Sequence, residues 1–202
     1  MIHTYIPYCP KDQGGYNLGW TYNTFMNLVD EDDWVCFLDH DATFTTRNWY
    51  HQLEDVVKSH TDVGLFTAVT NRIGQPAQIV DISDKDNHDI AYHRKVGKKL
   101  QEKYSSSISP FNNPEVLLSG VVILISKKTW RLTGGFADGF LRVDRNMHER
   151  CLDKNIKVGL MDGVYVYHWY RGDGDIAHIH GSRGLFDTKV RLTSRRRRNS
   201  IL

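Results

Sequence analysis

The period of the apolar positions changes along the chain and divides it into strands and helices. Ile2–Tyr8 carries β-favouring residues until Pro7 and Pro10 interrupt them, which predicts a short strand running into a loop marked by Gly14 and Gly15. From Leu18 the apolar residues fall at Leu18, Tyr22, Phe25, Met26 and Val29, the 3.6-residue period of an amphipathic helix with Asn17 as its N-cap. The acidic turn Asp30–Asp33 ends that helix. Trp34–Leu38 is a continuous apolar run, the pattern of a buried parallel strand. A second helix fits Arg47–Lys58, with Trp49, Leu53, Val56 and Val57 on one face and Thr46 at the cap, and Val63–Val69 reads as the next strand. Residues 71–113 are polar, contain Gly74, Pro76 and Pro110, and read as an insertion over the sheet with a helical piece near Val96–Tyr104.

Beyond the insertion, Val116–Ser126 reads as a strand, Lys127–Thr133 as a short helix and Gly134-Gly135-Phe136 as a turn. A helix follows over Asp144–Lys154, then strand pieces Lys157–Met161 and Val164–His168. Gly172–Gly184 is a loop rich in Gly, Asp and His, and residues 187–202 form a basic tail behind a single domain of residues 1–186. Alternating strands and helices predict an α/β fold, Rossmann-like, with a mostly parallel sheet flanked by helices. Ligands of such sheets sit at the carboxyl ends of the strands, which directs attention to Asp39-His40-Asp41.

Composition narrows the class. With 202 residues, 40% hydrophobic and 25% charged, the chain can bury one ordinary core. Its longest apolar stretch, Val116–Ile125, is far short of the roughly 20 residues of a membrane span. The first residues show no signal-peptide pattern, so a cytoplasmic protein is expected. Net charge is +2, less than the four positives of Arg195–Arg198 alone, so the body is net acidic and nucleic acid is not an expected partner. The arginine run itself suits either a solvated terminus or peripheral contact with an anionic membrane. Three cysteines, Cys9, Cys36 and Cys151, without a CxxC pair, predict reduced and mostly buried thiols.

Asp39 and Asp41 carry the candidate chemistry. Two residues apart at a strand end, they point to one side, and converging carboxylates repel unless a cation or proton lies between them. Hard oxygen ligands of this kind suit Mg²⁺ or Mn²⁺, which in turn bridge phosphate oxygens. The plainer reading is a pair of capping or turn aspartates. The preceding apolar strand, with Thr43 and Thr45 beyond, favours metal or phosphate chemistry. Two enzyme classes resemble this pattern: glycosyltransferases of GT-A fold, with their DxD pair, and haloacid-dehalogenase-type phosphatases, whose DxDxT motif is matched by Asp39–Thr43.

The flanks resemble family 2 glycosyltransferases. Asn17-x-Gly19-x-x-x-Asn23 is similar to the helix that precedes the DxD strand in that family and lies along the nucleotide-sugar. Ser119-Gly120-Val121 through Gly134-Gly135-Phe136 looks like its acceptor-side segment. Asp144 stands where the family has its acidic catalytic base, with Glu149 a weaker candidate, and His168 closes a late strand as the family's third metal ligand does. An imidazole in the set tilts the ion towards Mn²⁺ over Mg²⁺. His178 and His180 are substitutes for that ligand. The resemblance implies a shortened GT-A domain, a nucleotide-sugar donor such as a UDP-sugar, a carbohydrate or other hydroxyl acceptor, and inversion at the anomeric carbon. Tyr22 replaces the family's usual Arg, and the segment that reads the base is missing, which leaves Pro7, Tyr8 or the Lys11–Gly15 loop for that task. Together with His40, these complete the expected donor contacts. Trp130, Trp169 and Tyr170 are candidate sugar-stacking surfaces. Against the phosphatase, Asp162 is the only acid where a final acidic cluster is needed. A carbohydrate-binding module, the third class, predicts binding without turnover.

Overall fold

The computed structural model describes residues 1–8 and 17–169. A seven-stranded sheet has the order β1-β2-β6-β4-β7-β3, with β5 also paired to β7. Its strands are β1 (Ile2–Tyr5), β2 (Trp34–Leu38), β3 (Ala42–Phe44), β4 (Val63–Thr70), β5 (Ile108–Pro110), β6 (Val122–Ser126) and β7 (Lys157–His168). The helices are α1 (Leu18–Asn27), α2 (Trp49–Ser59), α3 (Ile90–Tyr104), α4 (Lys127–Leu132) and α5 (Val143–Asp153).

The sheet is mixed, which corrects the expectation of a mostly parallel one. Only β1–β2 and β4–β7 are parallel neighbours; β6 is antiparallel to both β2 and β4, and β3 and β5 are antiparallel to β7. A continuous apolar run reports burial on both faces and carries no information on direction. Because β6 reverses twice, β1, β2, β4 and β7 still run the same way, and their carboxyl ends share one edge of the sheet. Residues 6–8, 39–41, 71–72 and the end of β7 all emerge there, beside the entry to β6.

Alternation along β2 builds two cores. Val35 and Phe37 face α1 and α5, packing with Tyr22, Met26, Phe136 and Met147. Cys36 and Leu38 face α2, packing with Leu53, Val56, Phe66 and Leu124. Burial pushes the thiols of Cys36 and Cys151 up to about 12, so both stay protonated at neutral pH, while Cys9 lies outside the described residues.

Several boundaries differ from the sequence reading. β1 stops at Tyr5, and β6 begins only at Val122. Asn48, and not Thr46, is the α2 N-cap residue; the Thr46 hydroxyl instead donates to Gln52 Oε1. α3 is far longer than its expected piece, starting behind Asp89, whose Oδ1 accepts from Ala91 N at 2.8 Å. The two late strand pieces are one strand broken by a bulge. Met161 pairs with Ala68 and Tyr165 with Val69, so residues 162–164 loop out. Among the described residues no helix is long and apolar enough to cross a membrane. The expected domain end at residue 186, the Arg195–Arg198 tail, Lys11–Gly15, Tyr170, His178 and His180 lie outside the described residues.

Candidate metal centre

The chain leaves β2 into a tight turn, in which Ala42 N donates to Asp39 O at 3.1 Å. That turn, and not strand alternation, brings the carboxylates of Asp39 and Asp41 to the same side. It leads directly into β3, whose Ala42 pairs with His168 at the end of β7. Sheet register therefore delivers the imidazole to the carboxylates. His168 Nε2 lies 3.2 Å from Asp41 Oδ1 and 3.7 Å from Asp39 Oδ2. The candidate ligand atoms of Asp39, Asp41 and His168 all fall within 4.8 Å of one another. His168 is buried and the two aspartates are partly exposed, so the cluster is anchored on one side and open on the other.

The surroundings orient the imidazole. His168 Nδ1 stands 2.9 Å from the carbonyl oxygen of Arg72, which can only accept, so Nδ1 carries the proton. The Nε2 lone pair is thereby turned towards the two carboxylates. Converging carboxylates repel one another, so a cation such as a metal ion held among these three groups is stabilised. Two carboxylates and one imidazole are a donor set suited to Mn²⁺ or Mg²⁺, and a carbonyl bonded to the far nitrogen is the usual outer support of a metal-bound histidine. Asn71 supplies the second anchor: its Oδ1 accepts from His168 N at 2.8 Å, and its Nδ2 donates to Lys85 O at 2.9 Å. Asn71 and Arg72 carry no recognisable motif. Their only signal in the sequence is a polar pair ending a strand buried along its whole length.

Asp144 sits in the first turn of α5, where the helix dipole favours an acid. Its Oδ2 accepts from Gly120 N and its Oδ1 from Arg145 N, each at 2.8 Å. Burial raises its carboxyl above the usual range, an effect opposed by those two backbone N–H groups. A Cβ on Gly120 would stand 3.0 Å from Asp144 Cβ, so the small residue permits this approach. The next residue, Val121, accepts from Asp39 N at 3.1 Å. Ser119 is gripped by buried Gln78, which takes Ser119 N on Oε1 and donates Nε2 to Ser119 O. Three consecutive residues thus tie Gln78, Asp144 and Asp39 together. Ser119 and Gly120, small residues interrupting an apolar run, were the visible trace of that junction.

Asn17, Gly19 and Asn23 have a shared structural task. Asn17 Oδ1 accepts from Trp20 N at 2.8 Å, confirming the N-cap, and also from Gly139 N at 2.9 Å. Gly19 N donates to Gly139 O at 3.0 Å, and a Cβ there would meet Ala137 O at 1.8 Å. Asn23 brackets Phe136, accepting from its N–H and donating to its carbonyl, while Trp130 Nε1 donates to the same Oδ1. The helix motif and the Gly-Gly-Phe segment, read apart in the sequence, are two halves of one contact. Trp130 is occupied in the same way, with the Lys127 ammonium 4.5 Å above its ring. Glu149 pairs with Arg142 at 3.7 Å. His40 and Tyr8 are exposed and Pro7 half-buried, the latter two leaving β1 at the sheet edge that carries Asp39.

A scan of the chain against models of known protein families found no match, and a search of curated proteins found none either. Fold and site together define an α/β protein with an Asp-Asp-His cluster at the strand ends.

Proposed function

We propose that the chain is a metal-dependent glycosyltransferase that moves a sugar from a nucleoside-diphosphate sugar, a UDP-sugar first among them, to an acceptor hydroxyl. The observation that carries the reading is the convergence of Asp39, Asp41 and His168 at the carboxyl ends of the strands, where open α/β sheets bind ligands. Asp39, Asp41 and His168 would hold Mn²⁺ or Mg²⁺, which when bound supplies Lewis-acid stabilisation to a departing diphosphate. Arg72 O and Asn71 Oδ1 keep the imidazole aimed. Asp144 takes the proton of the acceptor hydroxyl on a carboxylate oriented by Gly120 N and Arg145 N. Its raised proton affinity makes it a stronger base than an exposed aspartate. Inversion follows from the resemblance to family 2 enzymes. Pro7, Tyr8 and His40, at the sheet edge that carries Asp39, would read the nucleotide, whereas Asn17, Gly19 and Asn23 act by holding residues 136–139.

The test is a thermal-shift screen of UDP, GDP, CDP, ADP and dTDP, each with Mn²⁺, Mg²⁺ or EDTA. A nucleotide that binds only the folded state raises the melting temperature by mass action. The reading expects one nucleotide to do so and EDTA to remove the effect. No nucleotide shift, with Mg²⁺-dependent hydrolysis of p-nitrophenyl phosphate, would replace the transferase by a phosphatase using Asp39 as nucleophile. Sugar binding without turnover, indifferent to Asp144→Asn, would make the chain a carbohydrate-binding module.

A further inference from the structure

A cavity of about 550 Å³ lies between α3 and the face of the sheet formed by β4, β5 and β7, a volume that suits a small organic ligand. Its walls mix polar and apolar groups: Val69 and Leu160 come from the sheet, Leu100 from α3 and Phe111 from just past β5, beside Tyr104, Ser109 and Asn113. Two carboxylates, Asp81 and Asp162, also line it.

The fold goes to some length to put Asp162 there. It is the first residue of the three-residue bulge in β7, and a bulge re-aims the side chains it carries. The bulge is pinned on both sides. Asp162 N donates to Ser107 O at 3.1 Å, and Gln52 Nε2 donates to Gly163 O at 3.0 Å. A Cβ on Gly163 would stand 2.0 Å from Ser105 O, so only glycine permits this packing. Asp162 Oδ2 accepts from Ser109 Oγ at 3.1 Å. Among the described residues neither Asp162 nor Asp81 has a lysine, arginine or histidine within ion-pair distance. Partial burial holds the Asp162 carboxyl above its ordinary range, and Ser109 offsets only part of that cost.

We propose that this cavity is a second ligand site, for a small organic cation: a primary ammonium on Asp162, with Asp81 adding charge, attached to an aromatic or branched aliphatic body held between Leu100, Leu160 and Phe111. An anion would meet two carboxylates, and a neutral ligand would leave Asp162 without a counter-charge. The inference is independent of the reaction assigned to the metal centre.

The probe is 2-phenylethylammonium, titrated into the full chain by calorimetry, with 2-phenylethanol as its neutral counterpart. Saturable binding of the ammonium, at least about tenfold tighter than the alcohol, is expected, and EDTA leaves it unchanged. Asp162→Asn weakens it by about tenfold or more, and Leu100→Trp, which narrows the cavity, weakens it as well. Asp81→Asn, on an exposed loop where the fold is not at stake, weakens it by a smaller factor and serves if either other variant fails to fold. Equal affinity for the ammonium and the alcohol, no saturation by about 10 mM, or affinity unchanged in both Asp162→Asn and Asp81→Asn would overturn the proposal.

Discussion

At the scale of single residues, His168 shows how much of a site rests on groups that never touch a ligand. Its ring and its backbone are held by Arg72 O and Asn71 Oδ1 respectively. Asn71→Ala strips a buried N–H of its acceptor, at a cost of about 1–3 kcal/mol in stability. Loss of such an outer support typically weakens metal binding by about 10- to 100-fold, so Mn²⁺ titration of the folded variant should show a decrease of that order. Asp144 yields a prediction in pH. Its folded carboxyl holds a proton to higher pH than the unfolded chain does, so between the two values the folded state binds more protons. Stability conferred by that protonation is present at low pH and is lost as pH rises through the folded value. Asp144→Asn keeps an acceptor for Gly120 N and removes the charge. Urea unfolding should therefore show the variant gaining on the parent chain as pH rises from about 4 to 7. Donor binding should survive in this variant and transfer should be suppressed. Asp39 and Asp41 were legible as candidates because they stand two residues apart behind a continuous apolar run, and Asp144 and His168 because their places resemble those of family 2 glycosyltransferases. Asn71, Arg72 and Gln78 were not, because a buried amide or a carbonyl acquires its meaning only from the partner that the fold brings to it.

At the scale of elements, α1 and the segment that ends in Gly139 stand or fall together. Asn23 satisfies three groups at once, Trp130 Nε1 and both polar backbone atoms of Phe136. Asn23→Ala leaves them without a protein partner, and equilibrium urea unfolding should register at least about 2 kcal/mol of destabilisation. Gly19→Ala should cost about 1–3 kcal/mol through overpacking, because its Cβ meets backbone and no flexible side chain can yield. Elements with a clear period were legible: α1 starts and β2 ends as read. α3 was seen only in part because its Lys-rich face breaks the apolar repeat, and β3 and β5 are three-residue strands defined by pairing with β7. Residues 116–121 read as strand from their apolar content, yet Ser119–Val121 leave the ladder to bind Gln78, Asp144 and Asp39. The motif Asn17-x-Gly19-x-x-x-Asn23 was visible as a pattern, but its contacts were not, since sequence spacing does not say which distant backbone a side chain will meet.

At the scale of the whole molecule, the position of the candidate metal centre depends on strand direction, the property the sequence concealed. Four strands run one way although β6 separates β2 from β4, and this alone brings the β2–β3 turn, the end of β4 and the end of β7 to one edge. An ion held there links three parts of the chain that lie far apart in sequence, Asp39–Asp41, His168 and, through it, Asn71–Arg72. Such an ion binds the folded chain and has no comparable site in the unfolded one. Mn²⁺ at 100 times its dissociation constant should then stabilise the fold by about 2.7 kcal/mol, seen as a rise in melting temperature that EDTA reverses. Asp41→Ala removes one ligand from the centre and the carboxylate nearest to His168, so its melting temperature should not respond to Mn²⁺ at the same concentration. A parent chain indifferent to both Mn²⁺ and Mg²⁺ would mean that the cluster holds neither ion. An equal response from Asp41→Ala would mean that the ion binds elsewhere. Either result would withdraw the metal-dependent reading, because nothing else in the described fold gathers three such ligands at the strand ends.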